Sequence, residues 1–168
     1  ELENAVGDVR YSPHPRPLKE VELLPLVKDI DGFIAGVDEI TSRVIQNAPR
    51  LKVISRYGVG VDRLDVQAAT EQGVVVTNTP GVNADAVAEM TILLMLGLAR
   101  DICKANAATK AGEWPTLFGT GLKGKTVGLI GVGAVGKSVA RRLKSFQCRV
   151  LGNDRSTTPG EVRGLGLD

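Results

Sequence analysis

Gly131, Gly133 and Gly136 stand in G-x-G-x-x-G spacing, and an aspartate, Asp154, follows 18 residues after the last of them. Each glycine permits something a side chain would block: Gly131 a tight turn out of a strand, Gly133 the approach of backbone to a pyrophosphate, Gly136 close packing of a helix on a sheet. The N–H groups that open a helix lack intrahelical partners, and with the helix dipole they attract phosphate without a cationic side chain. A carboxylate ending the next strand can accept both hydroxyls of an adenosine ribose. Twenty glycines in 168 residues could produce such spacing by chance, so a merely structural turn is the competing reading. The strand before, the helix after and the acidic strand end favour dinucleotide binding. Asp154 would repel a 2′-phosphate and so favours NAD, while Arg155 and Ser156 keep NADP open, since an arginine and a hydroxyl could accept that phosphate.

Two other loops carry residues suited to an anion. Arg56-Tyr57-Gly58-Val59-Gly60-Val61-Asp62 sets two glycines, able to expose successive N–H groups as a nest, beside a guanidinium. Asn78-Thr79-Pro80-Gly81-Val82-Asn83 is a polar turn entering a helix. Taken singly, each is an ordinary glycine or proline turn. At neighbouring strand ends of one sheet, they favour a site for an anionic substrate.

The elements that position these loops are legible from periodicity. Residues 126–130 form a short β-rich apolar run, expected as a buried parallel strand. Residues 134–146 repeat Val135, Val139, Ala140, Leu143 and Phe146 at helical spacing, with Lys137, Arg141, Arg142 and Lys144 expected on a solvated face. Residues 148–151 are a second strand, completing a βαβ unit. Upstream, 9–12 is a strand candidate before a loop with Pro13, Pro15 and Pro17. Residues 18–29 suggest an amphipathic helix with Val21, Leu24 and Val27 on one side, 32–36 a buried strand, and 42–48 a helix capped by Thr41. Strand 51–55, helix 66–72 stopped by Gly73, and strand 74–77 continue the alternation. This predicts an α/β chain whose first part is a parallel, flavodoxin-like sheet with function at its carboxyl strand ends. Residues 85–112 suggest one long helix, apolar nearly all round in its first half and therefore buried, followed by a linker with turn sites at Gly119, Gly121 and Gly124.

Composition narrows the class. The chain is 43% hydrophobic and 24% charged with a net charge of +2, and its basic residues are interleaved with 19 acidic ones, so no nucleic-acid partner is expected. The most apolar stretch, 90–99, is too short to span a membrane. Cys103 and Cys148, 45 residues apart without a nearby Cys or His partner, suggest reduced core thiols in a cytoplasmic protein and no metal site. The only histidine, His14, lies in the proline-rich loop and is expected at the surface. A division near 122–124 leaves 46 residues for the dinucleotide unit, below the roughly 55–65 that usually fold unaided, so the chain is expected to be a fragment.

The text LKVISRYGVGVDRLDVQAATEQGVVVTNTPGVNADAVAEMTILLMLGLAR at 51–100, with GLKGKTVGLIGVGAVGKSVARRLKSFQCRVLGND at 121–154, resembles the D-isomer-specific 2-hydroxyacid dehydrogenases. The resemblance implies two Rossmann-like parallel-sheet domains. Residues 1–84 would be an incomplete substrate domain, 85–122 a connecting helix and linker resembling the family's dimer arm, and 123–168 the start of an NAD-binding domain. It further implies that the Val59 and Gly60 backbone holds a substrate carboxylate, that Arg56 addresses a substrate phosphate, and that Asn83 lines the substrate pocket. Thr79, Ala134, Val135 and Asp154 would join the three glycines as cofactor contacts, and Glu89 would be structural. The family's histidine acid/base, its glutamate partner and its substrate-orienting arginine match no position here, so no catalytic residue is assigned within the chain. The first βα unit of the substrate domain is also expected to be missing before Glu1.

The implied activity is NAD-dependent oxidation of D-3-phosphoglycerate to 3-phosphohydroxypyruvate in serine biosynthesis, by a homodimer. The alternatives are a glyoxylate/hydroxypyruvate reductase, a non-catalytic NAD-sensing protein like the family's corepressor relatives, or an inactive fragment.

Overall fold

The computed structural model describes residues 7–164 and 166. The chain divides into two compact units, Glu1–Pro80 and Gly81–Asp168.

In the first unit, strands β1 (Gly32–Ala35), β2 (Val53–Arg56) and β3 (Val75–Thr77) form a parallel sheet in the order β1-β2-β3. Ile34, Ser55 and Thr77 lie in register across it. Helices α1 (Glu20–Leu23), α2 (Ser42–Gln46) and α3 (Val66–Glu71) connect the strands and supply the core. Thr41 caps α2 by accepting from the Val44 N–H at 3.4 Å, and Asp65 caps α3 by accepting from the Ala68 N–H at 2.9 Å. Ala35, Val44, Ile45, Ile54 and Ala69 are fully buried. Because side chains alternate along a strand, Ile54 enters this core while Ile34, Val53 and Val75 lie exposed on the other face. The expected buried strands are therefore covered on one face only among the described residues.

Two expectations near the start fail for local reasons. Residues 9–12 form no strand; Arg10 is instead tied to Asp29 through two guanidinium hydrogen bonds of 2.6 and 2.9 Å. The helix expected over 18–29 stops after Leu23, because Pro25 has no N–H to donate to the helix ladder, although Leu24 itself keeps a helical backbone, φ −49° and ψ −44°. The chain continues in tighter turns, with Leu26 donating to Leu23 O at 2.8 Å. Leu23 and Val27 become the buried pair, and Val21 faces solvent.

The second unit contains α4 (Ala84–Ala99), α5 (Ile102–Lys110), β4 (Thr126–Ile130), α6 (Ala134–Ser145), β5 (Arg149–Asn153) and α7 (Pro159–Gly164). Strands β4 and β5 pair in parallel from Thr126↔Arg149 to Ile130↔Asn153. Val139, Ala140 and Leu143 of α6 pack with Ala88 and Ile92 of α4 and with Val150 in one core. β4 is not buried on both sides, since Ile130 is 97% exposed.

The single long helix expected over 85–112 is two helices. Asp101 adopts the left-handed conformation, φ 52°, and ends the continuity of the backbone ladder. Aspartate tolerates this region, and neither proline nor glycine marks the break. The expected burial of the first half also fails: only Ala88 and Ile92 are buried, and Met90, Leu93, Leu94 and Leu98 are exposed. Cys103 is exposed too, against the expected core placement, while Cys148 is half-buried with its thiol donating to Leu122 O at 3.2 Å. Gly119 is a close-approach glycine, because a Cβ there would lie 2.8 Å from Ala99 O, where the linker runs back over the end of α4.

Candidate functional site

In the second unit, β4 runs into the glycine turn and α6 leaves it. Gly131 has φ +95° and donates to Asn153 O at 2.7 Å, extending the β4–β5 pairing by one bond. Val132 is fully buried and anchors the turn. The first N–H of the helix ladder to find a carbonyl is that of Lys137, which donates to Gly133 O at 2.9 Å. Those of Gly133, Ala134, Val135 and Gly136 have no partner among the described residues. No heavy atom lies within 4 Å of where a Cβ would stand on Gly133. Four convergent donors at the start of a 12-residue helix, fronted by open space, fit a pyrophosphate. Gly136 has a different neighbour from the one expected: its Cβ would strike Gly131 O at 2.2 Å, so the turn's own carbonyl, not sheet packing, requires glycine.

Asp154 lies directly after β5 and closes the turn from behind. Its Oδ2 accepts from the Val132 N–H at 2.6 Å. Its Oδ1 accepts from the Ser156 N–H and the Thr157 N–H, and from the Ser156 hydroxyl at 2.9 Å. These donors, the Val132 N–H foremost, hold the carboxyl well below the usual carboxylate range. The Ser156 hydroxyl is turned onto Asp154 in this structure.

A polar cluster that sequence reasoning missed joins α4 to α6. The fully buried Ser138 hydroxyl donates to Asp85 Oδ1, and Arg142 bridges Asp85 at 3.1 Å and Glu89 at 3.2 Å while also donating to Ser138 Oγ. The Ser138 hydroxyl, then Arg142, depress the Asp85 carboxyl. Arg142 therefore belongs to the packed face rather than the solvated one, with Glu89 as one of its ion-pair partners. The signal was available: Ser138 and Arg142 lie three and seven residues after Val135, on the same helical face as Val139. Gly81, φ +78°, brings the turn ahead of α4 against this helix, its Cβ position 3.9 Å from Ala134 Cβ. Asn83 is the N-cap of α4, exposed and without a side-chain capping bond.

In the first unit, the loop after β2 is wired through its carbonyls. Arg56 Nε donates to Gly60 O at 3.0 Å and its Nη1 to Tyr57 O. Asn78 Nδ2 donates to Val59 O at 2.8 Å, and the Thr79 N–H to Gly58 O at 2.9 Å. Gly58, φ +145°, turns its own N–H back onto Arg56 O at 2.9 Å. The expected nest of Gly58 and Gly60 is thus displaced by one residue. Val59 and Gly60 carry the N–H groups without partners among the described residues. Arg56 Nη2 is likewise without one, although the guanidinium as a whole folds over the loop instead of standing beside it. A cavity of about 180 Å³ opens here, lined by Gly36, Asp38, Arg56, Gly60 and Arg63 among others. Asp38 is already engaged, accepting from the Leu18 N–H at 2.7 Å and the Gly36 N–H at 2.9 Å.

The fold thus gathers Gly131, Gly133, Ala134, Val135, Gly136 and Asp154 in the second unit, and Arg56, Val59, Gly60 and Thr79 in the first. Asn83 falls in the second unit, apart in sequence and unit from the other residues expected to bind substrate. His14 is a surface loop residue, 3.9 Å from Glu22.

The model of the D-isomer specific 2-hydroxyacid dehydrogenase catalytic domain matches residues 1–157. A D-3-phosphoglycerate dehydrogenase of Methanocaldococcus jannaschii is 45% identical over 166 residues, covering 97% of this chain and 31% of that protein. A glyoxylate reductase of Thermococcus litoralis is 38% identical over 156 residues, covering 87% of this chain and 47% of that protein. The crystal structure of D-lactate dehydrogenase from Aquifex aeolicus, complexed with NAD and lactic acid, matches with a TM-score of 0.78 at 26% identity, over 86% of this chain and 44% of that one. The chain spans about half the length of most curated relatives it matches, and less of the phosphoglycerate dehydrogenase. By the extent of these matches and the two parallel α/β units that underlie them, the chain belongs to the D-isomer-specific 2-hydroxyacid dehydrogenase family.

Proposed function

We propose that this chain is part of an NAD-dependent oxidoreductase that moves hydride between nicotinamide and a D-2-hydroxyacid. The observation that carries the reading is the row of four unpartnered N–H groups from Gly133 to Gly136, with Asp154 behind it. The Aquifex relative's complex with NAD supports the choice of cofactor, as does the ionised Asp154 carboxylate, which would repel a 2′-phosphate. When bound, the dinucleotide supplies a nicotinamide C4 that accepts or gives hydride. In this reading the N–H groups of 133–136 hold the pyrophosphate, Asp154 holds the adenosine ribose, and Thr79 is a further cofactor contact. The N–H groups of Val59 and Gly60 hold the substrate carboxylate, and Asn83 lines its pocket. Residues 1–84 serve the substrate, 123–168 the cofactor, and 85–122 join them. No residue of the chain is assigned as the acid/base.

The proposed substrate is D-3-phosphoglycerate, oxidised to 3-phosphohydroxypyruvate in serine biosynthesis, with Arg56 Nη2 addressing the phosphate. The phosphoglycerate dehydrogenase at 45% identity supports it. Reduction of glyoxylate or hydroxypyruvate is the second reading. It is favoured by the fold of Arg56 onto the Tyr57 and Gly60 carbonyls, and by the relatives named glyoxylate reductase. Calorimetric titration of the chain with NAD, D-3-phosphoglycerate, D-glycerate and glyoxylate separates the two. Tighter binding of the phosphorylated acid, lost in Arg56→Ala, is expected; equal affinity for D-glycerate removes the phosphoglycerate assignment.

A homodimer is proposed through the apolar surface of Leu93, Leu94, Leu98, Trp114 and Phe118, all exposed here. Sedimentation velocity checks it, with a monomer at micromolar concentration as the contrary result. The free thiols of Cys103 and Cys148 support a cytoplasmic location.

A further inference from the structure

Asp154 holds more donors on one oxygen than that oxygen readily accepts. A carboxylate offers about four lone-pair sites, two on each oxygen. Oδ2 accepts one donor, the Val132 N–H at 2.6 Å. Oδ1 accepts three: the Ser156 N–H at 2.8 Å, the Ser156 hydroxyl at 2.9 Å and the Thr157 N–H at 2.9 Å. A ribose diol brings two further donors. One finds the open site on Oδ2, and the other must displace a donor from Oδ1. Two of the Oδ1 donors are backbone N–H groups, held by the turn that follows β5. Only the Ser156 hydroxyl can leave by a single χ1 rotation, and Ser156 is exposed, so water receives it.

We propose that the Ser156 hydroxyl is an internal stand-in for a ribose hydroxyl, and that it sets dinucleotide affinity by competing for Asp154. This rests on the dinucleotide reading of the glycine turn. Ser156 then acts as a specificity-determining residue from the protein side: it keeps the carboxylate fully solvated by donors while the site is empty, and yields only to a ligand that offers a hydroxyl in the same place. A phosphate on that ribose position brings no donor to Asp154 and sets like charge beside it, so it gains nothing from the exchange. The same bond therefore weakens the hold on NAD.

The test is calorimetric titration of the wild-type chain, Ser156→Ala and Ser156→Thr with NAD, and with an analogue whose adenosine ribose is 2′,3′-dideoxy. Ser156→Ala is expected to bind NAD about three- to ten-fold more tightly than wild type. Ser156→Thr, which keeps a hydroxyl, is expected to match wild type, and the gain is expected to vanish with the dideoxy analogue. Unchanged or weaker NAD binding by Ser156→Ala overturns the proposal. So does a gain that persists with the analogue, since it would then come from relaxation of the loop. If wild type and Ser156→Ala both fail to bind NAD while their circular dichroism is intact, the dinucleotide reading itself falls.

Discussion

After β2, the carbonyls of Tyr57, Gly58, Val59 and Gly60 all accept hydrogen bonds from Arg56, Thr79 or Asn78. After β4, by contrast, the turn from Gly131 to Gly136 leaves four N–H groups open and lets the start of α6 organise them. Both are glycine loops at the carboxyl end of a parallel strand. The first depends on side chains to turn its carbonyls away and so free the N–H groups of Val59 and Gly60. The second depends on the geometry of a helix start, which needs no side chain and tolerates none at Gly136. One loop should thus be sensitive to losing side-chain donors, and the other to gaining a Cβ.

The largest effect expected from this contrast is at Gly136. Gly136→Ala places a Cβ 2.2 Å from Gly131 O, against backbone that cannot yield. It should abolish NAD binding and lower the melting temperature of the second unit, read by hydrogen exchange at β4 and β5. Gly133→Val faces open space at φ −71°, so it should lower NAD affinity by about 100-fold with little change in melting. If both variants melted alike, the roles assigned to the two glycines would be wrong.

Next in size are the two cores. Leu143→Ala and Ile54→Ala each empty a fully buried site and should each cost about 2–5 kcal/mol. Ile54→Ala should raise exchange in β1 to β3, and Leu143→Ala in β4 and β5. Equal loss of protection in both units from either variant would show that they unfold as one.

Arg56→Ala should reduce affinity for a carboxylate such as D-glycerate about tenfold, because the loop loses donors to Tyr57 O and Gly60 O. Arg56→Lys should not restore it, lacking the planar fork that spans both carbonyls. Full rescue by lysine would mean that charge alone matters there.

Acid titration gives the smallest expected difference. In the first unit, the Arg16 guanidinium, followed by the Lys19 N–H, lowers Glu22 from its ordinary 4.5 to about 2. The folded value lies below the unfolded one, so the contribution of Glu22 is complete above pH 4.5 and is lost as pH falls towards 2. The melting temperature of Glu22→Gln should accordingly lie below that of wild type at neutral pH and converge with it over that window. Asp154 has the same sign, so NAD affinity should hold steady as pH falls into the ordinary carboxylate range. A fall in affinity centred there would show that Asp154 is not held by its loop donors.

What the sequence determined by itself was local and periodic. Alternating apolar runs and helical stripes located every strand of both sheets within a residue or two, and Thr41, Gly73 and the glycine spacing marked caps and turns that depend on near neighbours. Pro25 was equally local and should have ended the first helix. Tertiary structure alone decided the rest. Apolarity told that Ile34, Ile130 and Leu98 could be buried, but burial depends on what segment covers them, and none of the described residues does. The left-handed Asp101 had no residue-type marker. Arg56 folding onto its own loop, Asp154 accepting the Val132 N–H from 22 positions away, and Ser138 meeting Asp85 across 53 positions are pairings between groups with several available partners. A hydrogen-bonding residue type states what it can donate or accept. Only the folded chain determines which of those partners comes within about 3 Å.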